Sequence, residues 1–276
     1  MDVVYYHGGP GLNSRADETY IRRLFEGVAS KVHFWDEPSL QRGDSRVQDA
    51  ADAFEEYQSI ALEYFREVTD GHAPTLLVAH SFGANAAIRV AQAFPARIAG
   101  VVLLAPGLDF RVCLRNIGAC ALEDFKTLGK QVDADELSRN LERFASEWPS
   151  VAGRVCEHVL SDEQLLGHYW FDASVAPEYL ARFEGTHAID AASFVGVSPC
   201  WKPVSLTKVN VSALVLDGDA DKIVSPAAEA STLRSVFPKL ERAVLPECGH
   251  FVHVERTELV RERILAFLSG LEGRRA

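Results

Sequence analysis

Nothing in the 276-residue chain approaches ~18 consecutive apolar residues, so no transmembrane helix is expected. A basic n-region is missing too: the start, MDVVYYHGG, carries an acid at position 2, and no signal peptide is expected. No C-x-x-C pair occurs. The five cysteines (Cys113, Cys120, Cys156, Cys200, Cys248) are odd in number and scattered, which predicts reduced thiols in a cytoplasmic protein. Positive charge is in the minority, with 28 Lys and Arg against 39 Asp and Glu. The resulting net charge of −11 disfavours nucleic acid and anionic membrane as partners. Repeats, low-complexity tracts, metal clusters and nucleotide loops are also missing. No cofactor and no metal is therefore implied, and the expected partner is a small-molecule substrate acting on a monomer or homodimer. What is present is apolar: a hydrophobic fraction of 47% is ample for one sizeable core and argues against disorder. The length suits one α/β domain carrying an insertion.

The most informative stretch is Thr75 to Phe94, TLLVAHSFGANAAIRVAQAF. Thr75 to Ala79 is a short apolar run after Pro74, the pattern of a strand buried on both faces of a parallel sheet. Ala84 to Phe94 is alanine-rich and stops at Pro95, the pattern of a helix packed tightly on that sheet. Between them lies AHSFG. A serine in a sharp strand-to-helix turn needs small residues two positions before and after it, because the backbone passes close to itself. Ala79 and Gly83 fill those places, so the stretch reads as a G-x-S-x-G nucleophile elbow with alanine first. Such an elbow exposes the Ser81 hydroxyl and aims the Phe82 amide at an incoming carbonyl oxygen.

Asp2 to Tyr6 is a β-branched and aromatic strand that runs into His7-Gly8-Gly9-Pro10-Gly11. A glycine loop of this kind leaves backbone N–H groups open, as an oxyanion hole requires. With these two motifs the chain resembles the α/β-hydrolase superfamily, and HGGPG in particular resembles its proline iminopeptidase-like group. The resemblance implies a mostly parallel central sheet with helices on both faces, and a helical cap over the active site. Ala16 to Val28 carries a helical face, Lys31 to Trp35 a strand. The group's compact D-Q-R-G-x-G-x-S loop is loosened here to Asp36-Glu37-Pro38-Ser39-Leu40-Gln41-Arg42-Gly43-Asp44-Ser45. Ser45 and Gln48 form a capping box for a helix from Val47 to Thr69, ended by Gly71. Met1 begins almost on the HGGPG strand, ahead of which the family usually has an antiparallel hairpin; the expectation is either a sheet trimmed by two strands or a misassigned start.

Ile98 to Ala105 is another buried strand. From Pro106 to Trp201 the pattern changes to short helices, with Asp133 and Glu136 capping one and Ser161 and Gln164 another. This divides the chain into a core, 1–105 and 202–276, and a helical cap, 106–201. The cap's aromatic cluster, His168, Tyr169 and Trp170, together with Trp148, supplies the candidate substrate-binding residues. Val209 to Leu216 returns to the sheet and delivers Asp217-Gly218-Asp219-Ala220-Asp221. A helix opens at Ser225-Pro226, a last strand covers Arg242 to Leu245, and a final helix covers Thr257 to Leu268.

Acyl transfer needs a nucleophile, a base and an acid that orients the base, and this fold uses them in the chain order Ser, Asp, His. Ser81 is the nucleophile. His250 is the base, in a Gly-His turn after the last strand, with His253 as the alternative. Asp221 matches the family's G-x-x-D-x-x-V turn as the acid. Asp219 would brace that turn, and Asp109 is the alternative acid after the preceding strand. Gly9 and Phe82 would supply the oxyanion amides, and His7 would tie down its loop. The fold's dehalogenases and epoxide hydrolases are excluded because they need aspartate at the place of Ser81. An iminopeptidase would also need a glutamate ahead of His168-Tyr169, where Leu166-Gly167 stands; Glu163 and Glu178 are the nearby carboxylates. The expected activity is hydrolysis of a small ester, lactone or amide, with aminopeptidase subordinate. The rivals are lyase or C–C bond chemistry on the same fold and a silent binding protein.

Overall fold

The structure, a computed structural model, describes residues 1–38, 47, 52–69, 74–183 and 190–273. In chain order the elements are β1 (Asp2–Tyr6), α1 (Glu18–Leu24), β2 (Lys31–Trp35), α2 (Ala53–Val68), β3 (Thr75–His80) and α3 (Gly83–Ala93). After β4 (Ile98–Leu104) come five helices without a strand: α4 (Phe110–Thr127), α5 (Gln131–Arg143), α6 (Trp148–Leu160), α7 (Ala176–Ala181) and α8 (Ala191–Val197). The chain closes with β5 (Ser212–Gly218), α9 (Pro226–Val236), β6 (Lys239–Leu245), α10 (Val252–Glu255) and α11 (Thr257–Gly273).

The six strands form one sheet in the order β2-β1-β3-β4-β5-β6. Every neighbouring pair is parallel, so no antiparallel hairpin is among the described strands. The strand period of two sorts side chains between two helical layers. Val3, Tyr5, Leu76, Val78, Val102 and Leu104 point to the face covered by Ile21 and Leu24 of α1 and by Val260, Ile264 and Phe267 of α11. Val4, Tyr6, Leu77, Ala79, Val101 and Leu103 point to the opposite face, under α2, α3 and α9. Because both faces are covered, β3 and β5 are buried at every residue, which is why they read as unbroken apolar runs. Alanines at 84, 86, 87 and 91 let α3 lie close against the sheet.

Several boundaries differ from the sequence reading. The cap of α2 is Asp52, whose carboxylate accepts the Glu55 amide at 3.1 Å. The expected capping pair Ser45 and Gln48, and the stop at Gly71, lie outside the described residues; Val47 is helical. Asp133 sits inside the first turn of α5, which has no side-chain cap. Ser161 closes α6 instead of opening a helix, its hydroxyl donating to the His158 carbonyl at 2.8 Å. A 3-10 turn, Leu165–Tyr169, follows. The last strand begins at Lys239, and α11 continues past Leu268 to Gly273. No described helix is long and apolar enough to cross a membrane.

Candidate active site

β3 delivers its C-terminal end to the middle of the sheet, and the chain turns there directly into α3. The turn forces Ser81 to a φ of 49°, the left-handed region that side chains avoid. Two backbone bonds hold it: the Ser81 amide donates to the Leu104 carbonyl at 3.0 Å, and the Gly107 amide to the Ser81 carbonyl at 3.1 Å. Any side chain at Gly83 would collide with β1, its Cβ falling 2.5 Å from the Tyr6 carbonyl oxygen. The glycine is what lets α3 start so close to the neighbouring strand.

His250 enters from the loop after β6. Its Nε2 lies 2.8 Å from Ser81 Oγ and its Nδ1 2.8 Å from Asp221 Oδ2. With Nδ1–H donating to the carboxylate, Nε2 is left to accept the serine proton. Asp221 sits in the turn after β5, where its other oxygen accepts the amides of Ile223 (2.7 Å) and Val224 (3.0 Å). Both side chains are almost sealed, at 2% and 1% exposure, so the pair is held in a medium of low polarity. The structure thus brings Ser81, His250 and Asp221 into one hydrogen-bonded line.

The alternatives stand elsewhere. Asp109 caps α4, accepting the amides of Arg111 and Val112. Asp219 braces the histidine loop through the Cys248 amide at 3.1 Å. Asp217 is tied to the Arg242 guanidinium at 2.7 Å. His253 is turned away from Ser81, its Nε2 2.8 Å from Asp17 Oδ1. His7 does secure its loop: it accepts the Glu37 amide at 3.1 Å and stacks on Trp35 at 5.7 Å.

Two buried acids beside this line escaped the sequence reading. Asp17 accepts three side-chain hydrogen bonds, from Tyr5 (2.7 Å), Tyr179 (2.9 Å) and His253 (2.8 Å). Burial alone would raise its pKa, but the His253 imidazole and these bonds outweigh burial and hold it at about 2. His80 lies between the two groups, its ring 4.8 Å from that of His253 and 4.9 Å from that of His250. Burial, then its histidine neighbours, push His80 well below the usual imidazole range. It is neutral, and its Nε2–H donates to the His250 carbonyl at 3.1 Å. Glu37 lies under the glycine loop, where one oxygen accepts the Gly11 amide and the carboxyl also interacts with the Tyr57 hydroxyl. Burial pushes its pKa up to about 7, against the pull of His7. In sequence Asp17 looks like a helix-start acid and Glu37 like part of a loop; no local pattern marks either. Residues 39–46 of that loosened loop lie outside the described residues.

Above Ser81 is a cavity lined by the glycine loop, the elbow, the histidine loop and the helical insertion. Gly9 and Phe82 both border it, as do Tyr169 and Trp170. His168 and Trp148 do not. The tight 3-10 turn rotates His168 away from Tyr169 and toward α4, where its Nε2 lies 2.5 Å from Asp124. Trp148 packs under α6 against Phe144 (4.9 Å) and Trp201 (6.4 Å). Tyr179, another aromatic of the insertion, also lines it, and the lining the sequence missed includes Phe110, Ile117, Phe194 and Phe251, which chain order scatters over separate elements and loops. Among the described lining residues there is no Lys, Arg, Asp or Glu. Glu163 and Glu178 are surface groups, paired with Lys130 (3.6 Å) and Arg182 (2.9 Å).

Residues 7–263 match the model of the alpha/beta hydrolase family. The chain belongs to that family. A curated relative in it is the 2-hydroxy-6-oxo-6-phenylhexa-2,4-dienoate hydrolase of Burkholderia cepacia, 25% identical over 97% of this chain and 87% of its own length. A 2-hydroxy-6-oxononadienedioate/2-hydroxy-6-oxononatrienedioate hydrolase of Comamonas testosteroni is 24% identical over the same shares. Among solved structures, an Exiguobacterium antarcticum esterase superposes with a TM-score of 0.65 at 14% identity, covering 98% of this chain and 92% of its own. The proline iminopeptidase of Mycobacterium smegmatis gives 0.60 at 15% identity, covering 100% and 91%. These likenesses carry the fold. The alpha/beta hydrolase fold, with its parallel sheet and helices on both faces, is as the sequence implied.

Proposed function

We propose that the protein is a serine hydrolase of neutral, apolar carboxylic esters, with lactones and amides of the same character as lesser substrates. The observation that carries this reading is the placement of His250 at 2.8 Å from both Ser81 and Asp221, at a cavity whose described lining residues include no Lys, Arg, Asp or Glu. Ser81 Oγ attacks the carbonyl carbon while His250 Nε2 takes its proton. Asp221 stabilises the imidazolium and stays ionised itself. The amides of Gly9 and Phe82 receive the developing oxyanion, each contributing roughly 3 kcal/mol to lowering the barrier. His250 then gives its proton to the leaving alcohol, and water releases the acyl-enzyme by the same steps. Residues 106–201 act as the cap that shapes the acyl pocket and excludes bulk water.

The wall chemistry separates this reading from its neighbours. A free N-terminal ammonium needs a carboxylate in the pocket, and none of the described lining residues supplies one. The dienoates in the relatives' names are anions that call for a cationic group, and no described lining residue supplies that either. The deciding experiment compares p-nitrophenyl esters of increasing acyl length, proline and alanine p-nitroanilides, and a 2-hydroxy-6-oxo-dienoate. We expect ester turnover that rises from acetate to medium chains, and loss of roughly 10³-fold or more in Ser81→Ala. Turnover surviving in Ser81→Ala, or confined to the anilides or the dienoate, overturns the proposal.

A further inference from the structure

We propose that Asp124, Asp162 and His168 form a binding site for a divalent transition-metal cation, such as Zn²⁺ or Mn²⁺, in the helical insertion. Asp124 stands in the last turn of α4, Asp162 just beyond α6, and His168 in the 3-10 turn that follows. Distinct segments thus converge, and their donor atoms lie within 4.8 Å of one another. Asp162 is 5% exposed. Its Oδ1 accepts the Gln164 amide at 3.0 Å, while Oδ2 is buried with no N–H donor; the side chain's other polar neighbour is the Asp124 carboxyl. Two carboxylates this close repel, and either a shared proton or a cation between them relieves the repulsion. Among the described residues no Lys or Arg pairs with either, and Lys130, the nearby ammonium, is engaged with Glu163.

The comparable cluster beside the catalytic line, Asp17 with His80 and His253, shows what a satisfied group looks like. Both oxygens of Asp17 already have hydrogen-bond donors. Asp162 Oδ2 has no such donor, and a carboxylate oxygen of Asp162 lies within 4.8 Å of donor atoms of Asp124 and His168. The donor set, two carboxylate oxygens and one imidazole nitrogen, favours zinc or manganese over calcium and magnesium, which prefer oxygen alone. Asp124 and His168 are 15% and 18% exposed, so the ion has a path from solvent and room to keep water ligands. Binding would replace the His168–Asp124 hydrogen bond. It would also fix the turn that leads into Tyr169, which borders the cavity and whose carbonyl accepts the His250 amide at 2.8 Å. The ion is thereby a stiffener of the pocket wall and takes no part in bond breaking.

The test uses the full chain, stripped with a chelator and dialysed. ZnCl₂ and MnCl₂ are titrated in by calorimetry, with thermal unfolding measured beside it and CaCl₂ as the hard-cation control. The expected result is saturation at one equivalent with a raised Tm, and affinity at least about tenfold weaker in Asp162→Asn and His168→Gln. His253→Gln should bind as the parent does. His168 is partly exposed, so its variant keeps the test decisive if Asp162→Asn fails to fold. No binding at millimolar metal, equal binding in both site variants, or loss confined to His253→Gln would each overturn the proposal.

Discussion

At Ser81 a residue with a side chain holds a φ of 49°, a conformation that costs roughly 1–2 kcal/mol and persists only because the surrounding backbone bonds fix it. That constraint is why the elbow was legible from sequence: small residues on both sides are a local requirement. Asp221 and His250 were legible for the same reason, since each sits in a tight turn just after a strand. Glu37 was not, because its position depends on the glycine loop folding over it. Its folded pKa of about 7 lies above the ordinary 4.5. The folded protein therefore holds this proton more tightly, a contribution fully present below about pH 4.5 and lost as pH rises through 7. Glu37→Gln keeps an acceptor for the Gly11 amide and removes the titration. Between pH 5 and 8 the wild-type Tm should fall relative to this variant, by up to about 3 kcal/mol of stability. Thermal denaturation over that range checks it; parallel curves would refute it.

Among the elements, β1 to β5 and the helices between them followed from apolar runs and the 3.6-residue period. The start of β6 did not, because Lys239, Glu241 and Arg242 make an edge strand that is only half-buried and reads as loop. Helix starts in the insertion were also misplaced: the S-x-x-Q spacing at Ser161 fits the end of a helix as well as its beginning. The pocket wall depends on a contact no pattern announces. The Glu255 carboxylate accepts the amides of Gly249 (2.9 Å), Phe171 (2.9 Å) and Asp172 (3.1 Å), binding the insertion to the histidine loop. Glu255→Ala leaves three amides without their acceptor. It should lower stability by ~2 kcal/mol and lower kcat/KM about tenfold or more, with Ser81 still labelled by a fluorophosphonate. Unchanged kinetics in a folded variant would show that the clamp does not position His250.

For the whole molecule, the alternation of strands and helices was enough to read a parallel sheet covered on both faces, but not the tie between its parts. Asp17 connects β1 through Tyr5, the insertion through Tyr179 and α10 through His253. Its pKa is held at about 2, below the ordinary 3.8, so its contribution is present above about pH 4 and lost as pH falls through 2. That window is worth about 2 kcal/mol. Asp17→Asn should be less stable at neutral pH and show a shallower acid loss between pH 4 and 2, measured by urea unfolding. An acid limb as steep as wild type would remove Asp17 from the account. Another tie bears on aim. The helical insertion and the proposed base share a main-chain hydrogen bond, from the His250 amide to the Tyr169 carbonyl. Any shift of the insertion at Tyr169 would take away the acceptor of the His250 amide, so the shape of the pocket wall and the aim of that imidazole are set together.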